Sequence, residues 1–252
     1  MKAFSSQNQP LVLGHRGARA YAPMNTLPGF ECAAEQGADG IEFDIHLSKD
    51  GEIVVIHDFT VDATTDGTGN VRDLTLAQLK ELDAGGWFGA EFAGAQIPTL
   101  DEVFEWVAQQ RFLVNVEIKS KSARTNGIER KLAEKIKQHS MQNRGIVSSF
   151  NPLALRRFSA YGRELGVPIG FLHAPETPFY VPWLLTGLTY QARHPHFSQV
   201  NQRYMDWANQ HGHRVNVWTV NDPQVACGLR DLGVNAIITD QPDTILKALS
   251  DT

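Results

Sequence analysis

The chain has 252 residues, 42% of them apolar and 20% charged, with 23 Lys+Arg against 28 Asp+Glu and a net charge of −5. A chain of this size buries roughly three quarters of its unfolded surface, so its core needs no staples, and 2 cysteines make no disulfide framework. The acidic balance gives no dominant basic surface for nucleic acid, no run of eighteen apolar residues supplies a transmembrane helix, and the polar start from Met1 to Pro10 lacks the apolar stretch of a signal peptide, which makes a cytoplasmic address the expectation.

Residues 1–10 read as a loose tail. Short apolar runs then alternate with helical patterns: Leu11–Gly14, Gly40–Leu47, Ile53–His57, Phe112–Ile118, Ile146–Ser149, Pro168–Leu172, Ser198–Asn201, Val215–Val220 and Asn235–Thr239, the run Ser198–Asn201 being the weakest. The second and third are joined by Ser48-Lys49-Asp50-Gly51-Glu52, too short for a crossover helix, and Asp-Gly between two alternating runs predicts a hairpin. The return run 53–57 is then antiparallel, and the other runs can all be parallel strands, each followed by a helix. Eight such units in about 250 residues predict a TIM (β/α)8 barrel, one domain over 1–252. An open doubly wound sheet fits less well, because no Gly-rich phosphate loop follows the first run. Residues 58–98 form a long excursion with one short helical pattern, Leu76–Leu82, and predict a small insertion at the barrel mouth. Thr99-Leu100-Asp101-Glu102 is a capping box, opening a helix whose apolar stripe is Leu100, Val103, Phe104 and Val107. Asn151-Pro152 and Asp222-Pro223 each set a cap residue before proline and predict two further helix starts.

In a parallel barrel the chemistry gathers at the carboxyl ends of the strands. Those positions hold His15 and Arg16, Glu42 and Asp44, His57 and Asp58, Glu117 and Lys119, Ser149 and Phe150, Trp218, and Asp240. Glu42, Asp44 and His46 alternate with Ile41, Phe43 and Ile45, so the polar set shares one face. Turning the hairpin at Asp50-Gly51 pairs residues whose numbers sum to about 101, which sets Asp44 opposite His57. Glu42, Asp44 and Glu117 offer hard oxygen ligands suited to Mg²⁺ or Ca²⁺; crowded together without a cation, they would repel and raise one another's pKa values. His15 and His57 are candidates for an acid/base pair, and Arg16 and Lys119 for donors to an anionic oxygen. A hard cation, two basic side chains and two histidines are what cleavage of a phosphodiester needs.

These residues resemble the bacterial glycerophosphodiester phosphodiesterases. The family's His-Arg-Gly is His15-Arg16-Gly17, and its Ala-Pro-Glu-Asn-Thr is Ala22-Pro23-Met24-Asn25-Thr26. Glu-x-Asp, Lys-Asp-Gly and His-Asp are Glu42-Phe43-Asp44, Lys49-Asp50-Gly51 and His57-Asp58; Glu-Ile-Lys is Glu117-Ile118-Lys119. Trp-Thr-Val-Asn is Trp218 to Asn221, and Ile-Thr-Asp-x-Pro is Ile238 to Pro242. The resemblance implies a TIM barrel with an insertion after the hairpin, a metal held by Glu42, Asp44 and Glu117, and His15 and His57 as general acid and base. It implies attack of the substrate's glycerol hydroxyl on phosphorus, then opening of the cyclic phosphate by water, giving glycerol 3-phosphate and an alcohol. Met24 stands where the family has glutamate, and Arg16 is expected to lose a charged partner there.

Other features take blander readings. His46 reads as a surface or hairpin residue, the His194–His196 and His211–His213 pairs as loop histidines, and Cys32 and Cys227 as small buried helix residues. Gly67-Thr68-Gly69 lacks the lysine of a phosphate loop and reads as a turn. Trp218 reads equally as core or as one wall of a glycerol site. The apolar stretch Phe179–Leu185 is expected to pack as the helix after the fifth barrel strand; as an exposed lip it would instead suit acyl chains and lysophospholipid cleavage of phospholipase D type. A non-catalytic phosphodiester-binding protein is the remaining alternative.

Overall fold

The computed structural model describes residues 9–250. The expected tail, 1–10, lies outside them apart from Gln9 and Pro10. Eight parallel strands close on themselves: β1 (Leu11–His15), β2 (Gly40–Leu47), β4 (Leu113–Ile118), β5 (Gly145–Ser149), β6 (Ile169–His173), β7 (Ala192–Pro195), β8 (Arg214–Val217) and β9 (Ala236–Thr239). Closure comes from β1, which pairs β2 at Gly14↔Ile41 and β9 at Leu13↔Ile238. The short antiparallel strand β3 (Ile53–Val55) returns along the end of β2, as the Asp50-Gly51 turn predicts.

The helices form where caps and stripes specify them. Around the barrel run α1 (Leu27–Glu35), α3 (Leu100–Gln109), α4 (Ile128–Gln138), α5 (Pro152–Gly162), α6 (Gln202–Gln210), α7 (Pro223–Asp231) and α8 (Pro242–Ser250), while α2 (Leu76–Lys80) belongs to the insertion. At the start of α3, Thr99 Oγ1 accepts from Glu102 N at 3.2 Å, and Glu102 returns a carboxylate oxygen to Thr99 N at 2.7 Å. The stripe Leu100, Val103, Phe104 and Val107 is fully buried, within one apolar cluster with Phe43 of β2 and Val116 of β4. Asn151 and Asp222 cap α5 and α7 as their Asn-Pro and Asp-Pro pairs predict. Residues 56–98 leave the barrel as turns, α2 and short 3-10 segments, over their own apolar cluster of Val54, Ile56, Val61, Val71, Leu79, Ala84 and Ile97.

Three expectations are corrected here. The seventh barrel strand is Ala192–Pro195, not Ser198–Asn201, which falls in a 3-10 turn (Phe197–Gln199) and the cap of α6. The composition of β7 hides it: His194 points into the barrel, fully buried, while Arg193 lies outside under α6, its guanidinium 4.9 Å from the Trp207 ring centroid. His194 is therefore a strand residue rather than a loop one, set between Asn115 at 3.4 Å and Asn216 at 3.0 Å. Its ring fits only because position 170 is glycine; a Cβ there would stand 2.4 Å from His194 Nε2. The stretch Phe179–Leu185 does not pack as an α-helix. It makes a 3-10 turn (Val181–Leu185) with Leu185 buried, leaving Phe179 80% and Trp183 71% exposed.

Candidate active site

The strand ends bring the carboxylates together. Glu42 and Asp44 point inward from β2, and Glu117 from the neighbouring β4, where register sets Asp44 against Glu117. All three are buried, and one oxygen from each lies within 4.8 Å of the others. Two cations face them. Lys119 Nζ is 2.7 Å from Glu117 Oε1 and 2.9 Å from Asp44 Oδ1; Arg16 Nε is 3.2 Å from Asp44 Oδ2. Neither approach to Asp44 has hydrogen-bond direction, so Asp44 Oδ1 has a charge partner but no hydrogen bond. Asn25 supplies one to the other oxygen, Nδ2 donating to Oδ2 at 2.9 Å, while Asp44 N donates to Asn25 Oδ1 at 3.3 Å. Arg16 and Asn25 both hold left-handed backbone, φ 54° and 57°, a local strain of about 1 kcal/mol each that the fold imposes to bring both side chains to Asp44.

Burial sets the electrostatics. It raises Glu42 well above the carboxylate range, with repulsion from Asp44 and Glu117 adding to it. It pushes Glu117 up to about 7, Lys119 opposing and Asp44 adding. For Asp44 burial also works upward, but Lys119 and then Arg16 outweigh it and hold the carboxyl below its ordinary value. Lys119 is the mirror case: burial alone would lower it, and Asp44 and Glu117 drive it up. Two carboxylates that are hard to ionise, beside a third with a buried oxygen lacking a hydrogen bond, fit a missing positive charge. The donors are all oxygens, the preference of a hard divalent cation. Glu42, Asp44 and Glu117 could hold such an ion.

The two histidines share a cavity with Glu42 and Glu117. His15 Nδ1 is 2.6 Å from Asp240 Oδ1, and Asn221 Nδ2 donates to the other oxygen of Asp240 at 2.8 Å. Burial lowers the His15 pKa against the opposing bond to Asp240. His57 Nδ1 is 2.7 Å from Asp58 Oδ1, and burial brings His57 down to about 4, against the pull of Asp44. A carboxylate at Nδ1 orients each ring and leaves Nε2 for a ligand's proton. Between them opens a cavity of about 330 Å³ lined by His15, Arg16, Lys119, Phe150, Leu172 and Trp218, with the carboxylates Glu42 and Glu117 and with His57 on its wall. Trp218 thus lines the cavity, its ring meeting Phe150 edge-on at 5.5 Å.

Every residue singled out at the strand ends reaches this mouth region, but not always as expected. The hairpin register pairs numbers that sum to 100, His46↔Val54, so Asp44 lies opposite Ile56 and not His57. A shift of one residue would have turned the side chain away; it does not here because pairing ends at Val55 and His57 sits in the following loop. His46 is not at the surface: it is 6% exposed and its Nε2 lies 3.1 Å from the His57 carbonyl, fixing the backbone that carries His57. Met24 does not leave Arg16 without a contact, since Nη1 lies 3.4 Å from its sulfur. Asn25 and Asn221 were legible only as members of motifs, and Asp240 only as a strand-end residue; no spacing pointed to their bonds with Asp44 and His15.

Residues 15–244 match the Glycerophosphoryl diester phosphodiesterase family. A glycerophosphodiester phosphodiesterase of Caldanaerobacter subterraneus subsp. tengcongensis is 42% identical over 94% of this chain and 96% of its own length. Among solved structures, an Oleispira antarctica phosphodiesterase in complex with the product sn-glycerol-3-phosphate superposes with TM-score 0.86 and 34% identity, over 96% of this chain and 97% of that one. A glycerophosphodiester phosphodiesterase from Agrobacterium tumefaciens gives TM-score 0.79 and 27% identity, over 94% and 99%. The closed barrel, the mouth it builds and these matches place the chain in the glycerophosphoryl diester phosphodiesterase family, as an enzyme of that class.

Proposed function

We propose that the chain, as a single catalytic domain over 1–252 with 58–98 as its insertion, hydrolyses small glycerophosphodiesters to glycerol 3-phosphate and an alcohol in glycerophospholipid degradation, in the cytoplasm. The observation that carries this is one cavity lined by Glu42, Glu117 and two carboxylate-oriented histidines, with buried Asp44 clustered against the two glutamates. Glu42, Asp44 and Glu117 would hold Mg²⁺ or Ca²⁺, which would offset the charge that builds on the phosphoryl oxygens. Arg16 and Lys119 donate to the phosphoryl oxygens, and Trp218 walls the glycerol. One of His15 and His57 takes the proton of the glycerol hydroxyl as its oxygen bonds to phosphorus; the other gives a proton to the departing alcohol. Water then opens the cyclic phosphate with the two roles exchanged.

Glycerol 3-phosphate release from glycerophosphocholine and glycerophosphoethanolamine tests this. Release is expected with Mg²⁺ or Ca²⁺, at least about a hundredfold slower in EDTA, and restored by adding the ion back. Absence of release from any such diester would overturn the reading, and retained binding without turnover would mark a binding protein instead.

The exposed aromatic turn favours a second substrate class. With Phe179 80% and Trp183 71% exposed, their ring centroids 6.1 Å apart, it offers acyl chains a contact on the β6–β7 connection. Lysophospholipid cleavage would then show in Phe179→Ser/Trp183→Ser, whose rate on micellar lysophosphatidylcholine should fall at least about fivefold more than its rate on glycerophosphocholine. Equal loss on both would remove the lysolipid reading.

A further inference from the structure

The geometry points to a separate subsite for the leaving alcohol: a lateral groove walled by Phe59 and Phe150 and ended by Lys121, which favours alcohols with a neutral or anionic end over a cationic one. This rests on the diesterase reading above.

The groove, of about 260 Å³, shares His57, Glu117, Lys119 and Phe150 with the central cavity, and Asp58, Phe59, Ser120 and Lys121 belong to it alone. His15, Arg16, Leu172 and Trp218 belong only to the central cavity. A phosphodiester has two arms, and in a displacement the entering and leaving oxygens lie on opposite sides of phosphorus. A phosphoryl group at the shared junction, against Lys119, sends one arm each way. The central cavity lies over the barrel, bounded by Leu172, Trp218 and Ile238, and suits the constant glycerol arm. The lateral groove runs out to the exposed Lys121 and suits an arm of variable size.

The chemistry of the groove follows from its charges. Lys121 Nζ stands 4.3 Å from the Phe59 ring centroid, and no carboxylate pairs with it among the described residues. It therefore already occupies an aromatic face on which an ammonium ligand could have settled. Asp58, the acid particular to the groove, meets His57 Nδ1 at 2.7 Å through one oxygen and keeps its negative charge beside His57, so the exposed, unpaired Lys121 is what sets the groove against a cationic end. A choline or ethanolamine head would meet a like charge and an occupied ring. A carboxylate or phosphate end would meet a free ammonium, and a polyol would meet its three donors.

The test compares kcat/KM for three diesters of glycerol 3-phosphate: with choline, with glycerol, and with 3-hydroxypropanoate, whose far end is a carboxylate. The wild type should prefer the carboxylate and glycerol esters to the choline ester. Lys121→Glu should shift the carboxylate-to-choline ratio toward choline by about tenfold, and Lys121→Gln by about threefold. Trp218→Ala should lower all three substrates alike. A wild-type preference for choline, or a Lys121→Glu ratio within twofold of wild type, would overturn the subsite. A ratio moved by Trp218→Ala and not by Lys121→Glu would overturn it too, by placing the alcohol in the central cavity. No turnover of any of the three by wild type would remove the diesterase reading and the subsite with it.

Discussion

Replacing His57 with alanine is expected to lower kcat for glycerophosphocholine by about a thousandfold, the middle of the range for a positioned acid or base. Little of that loss should come from misfolding. The His57 side chain is 31% exposed, lies past the end of β3, and its backbone stays fixed because His46 meets its carbonyl at 3.1 Å. His57 lines both the central cavity and the lateral groove, whereas His15 lines only the central one. In the arrangement proposed, His57 therefore faces the departing oxygen and His15 the attacking one. A leaving group that needs no proton separates the two roles. With the p-nitrophenyl ester of glycerol 3-phosphate, His57→Ala should recover at least about tenfold of its loss, while His15→Ala should recover none. The readouts are kcat at saturation for glycerophosphocholine, the single-turnover rate of nitrophenolate release for the p-nitrophenyl ester, which reports the first displacement alone, and a thermal unfolding midpoint within a few degrees of wild type. An undiminished kcat in folded His57→Ala would take the residue out of the reaction.

Much of the mouth was legible because barrel topology turns sequence position into spatial position. Once the strands are counted, residues at their carboxyl ends must converge, and period-two alternation puts Glu42 and Asp44 on the inner face together. Capping boxes were equally readable, since the Thr99–Glu102 bonds are local. What failed to show depends on contacts distant in sequence. Strand β7 reads Ala-Arg-His-Pro because its inner position meets two asparagines and its outer one an aromatic stack, neither of which leaves an apolar run. The exposure of Phe179 and Trp183 runs against the usual fate of such side chains, so composition alone predicted burial. Asn25 meets Asp44 through a left-handed turn, and no periodicity encodes a turn's destination.

His194 gives the second large effect, on stability rather than rate. It is fully buried in the barrel interior, and burial brings its pKa down to about 3, with His173 adding to the shift. In the unfolded chain the same ring titrates near its ordinary value of about 6.5. Between those two values the unfolded state binds a proton that the native state refuses, so stability is full above about pH 6.5 and drains away as the pH falls toward 3. Going from pH 7 to pH 4 should remove about 3 kcal/mol through this one group. Acid also protonates carboxylates and charges other histidines, His173 among them, and those contributions recur in a variant that lacks only the titrating ring. Urea unfolding of wild type and His194→Gln at both pH values isolates the difference: the variant starts less stable at pH 7 but should lose about 3 kcal/mol less on acidification. The native ring can also be followed directly by NMR, where its proton shifts should show no inflection above pH 5. Equal acid losses in both proteins, or an inflection near pH 6, would mean that the interior admits the charged ring. The neighbours argue otherwise. Asn115 and Asn216 hold the ring edge-on at 3.4 and 3.0 Å, and Gly170 leaves no room on its flank for water to follow a proton in.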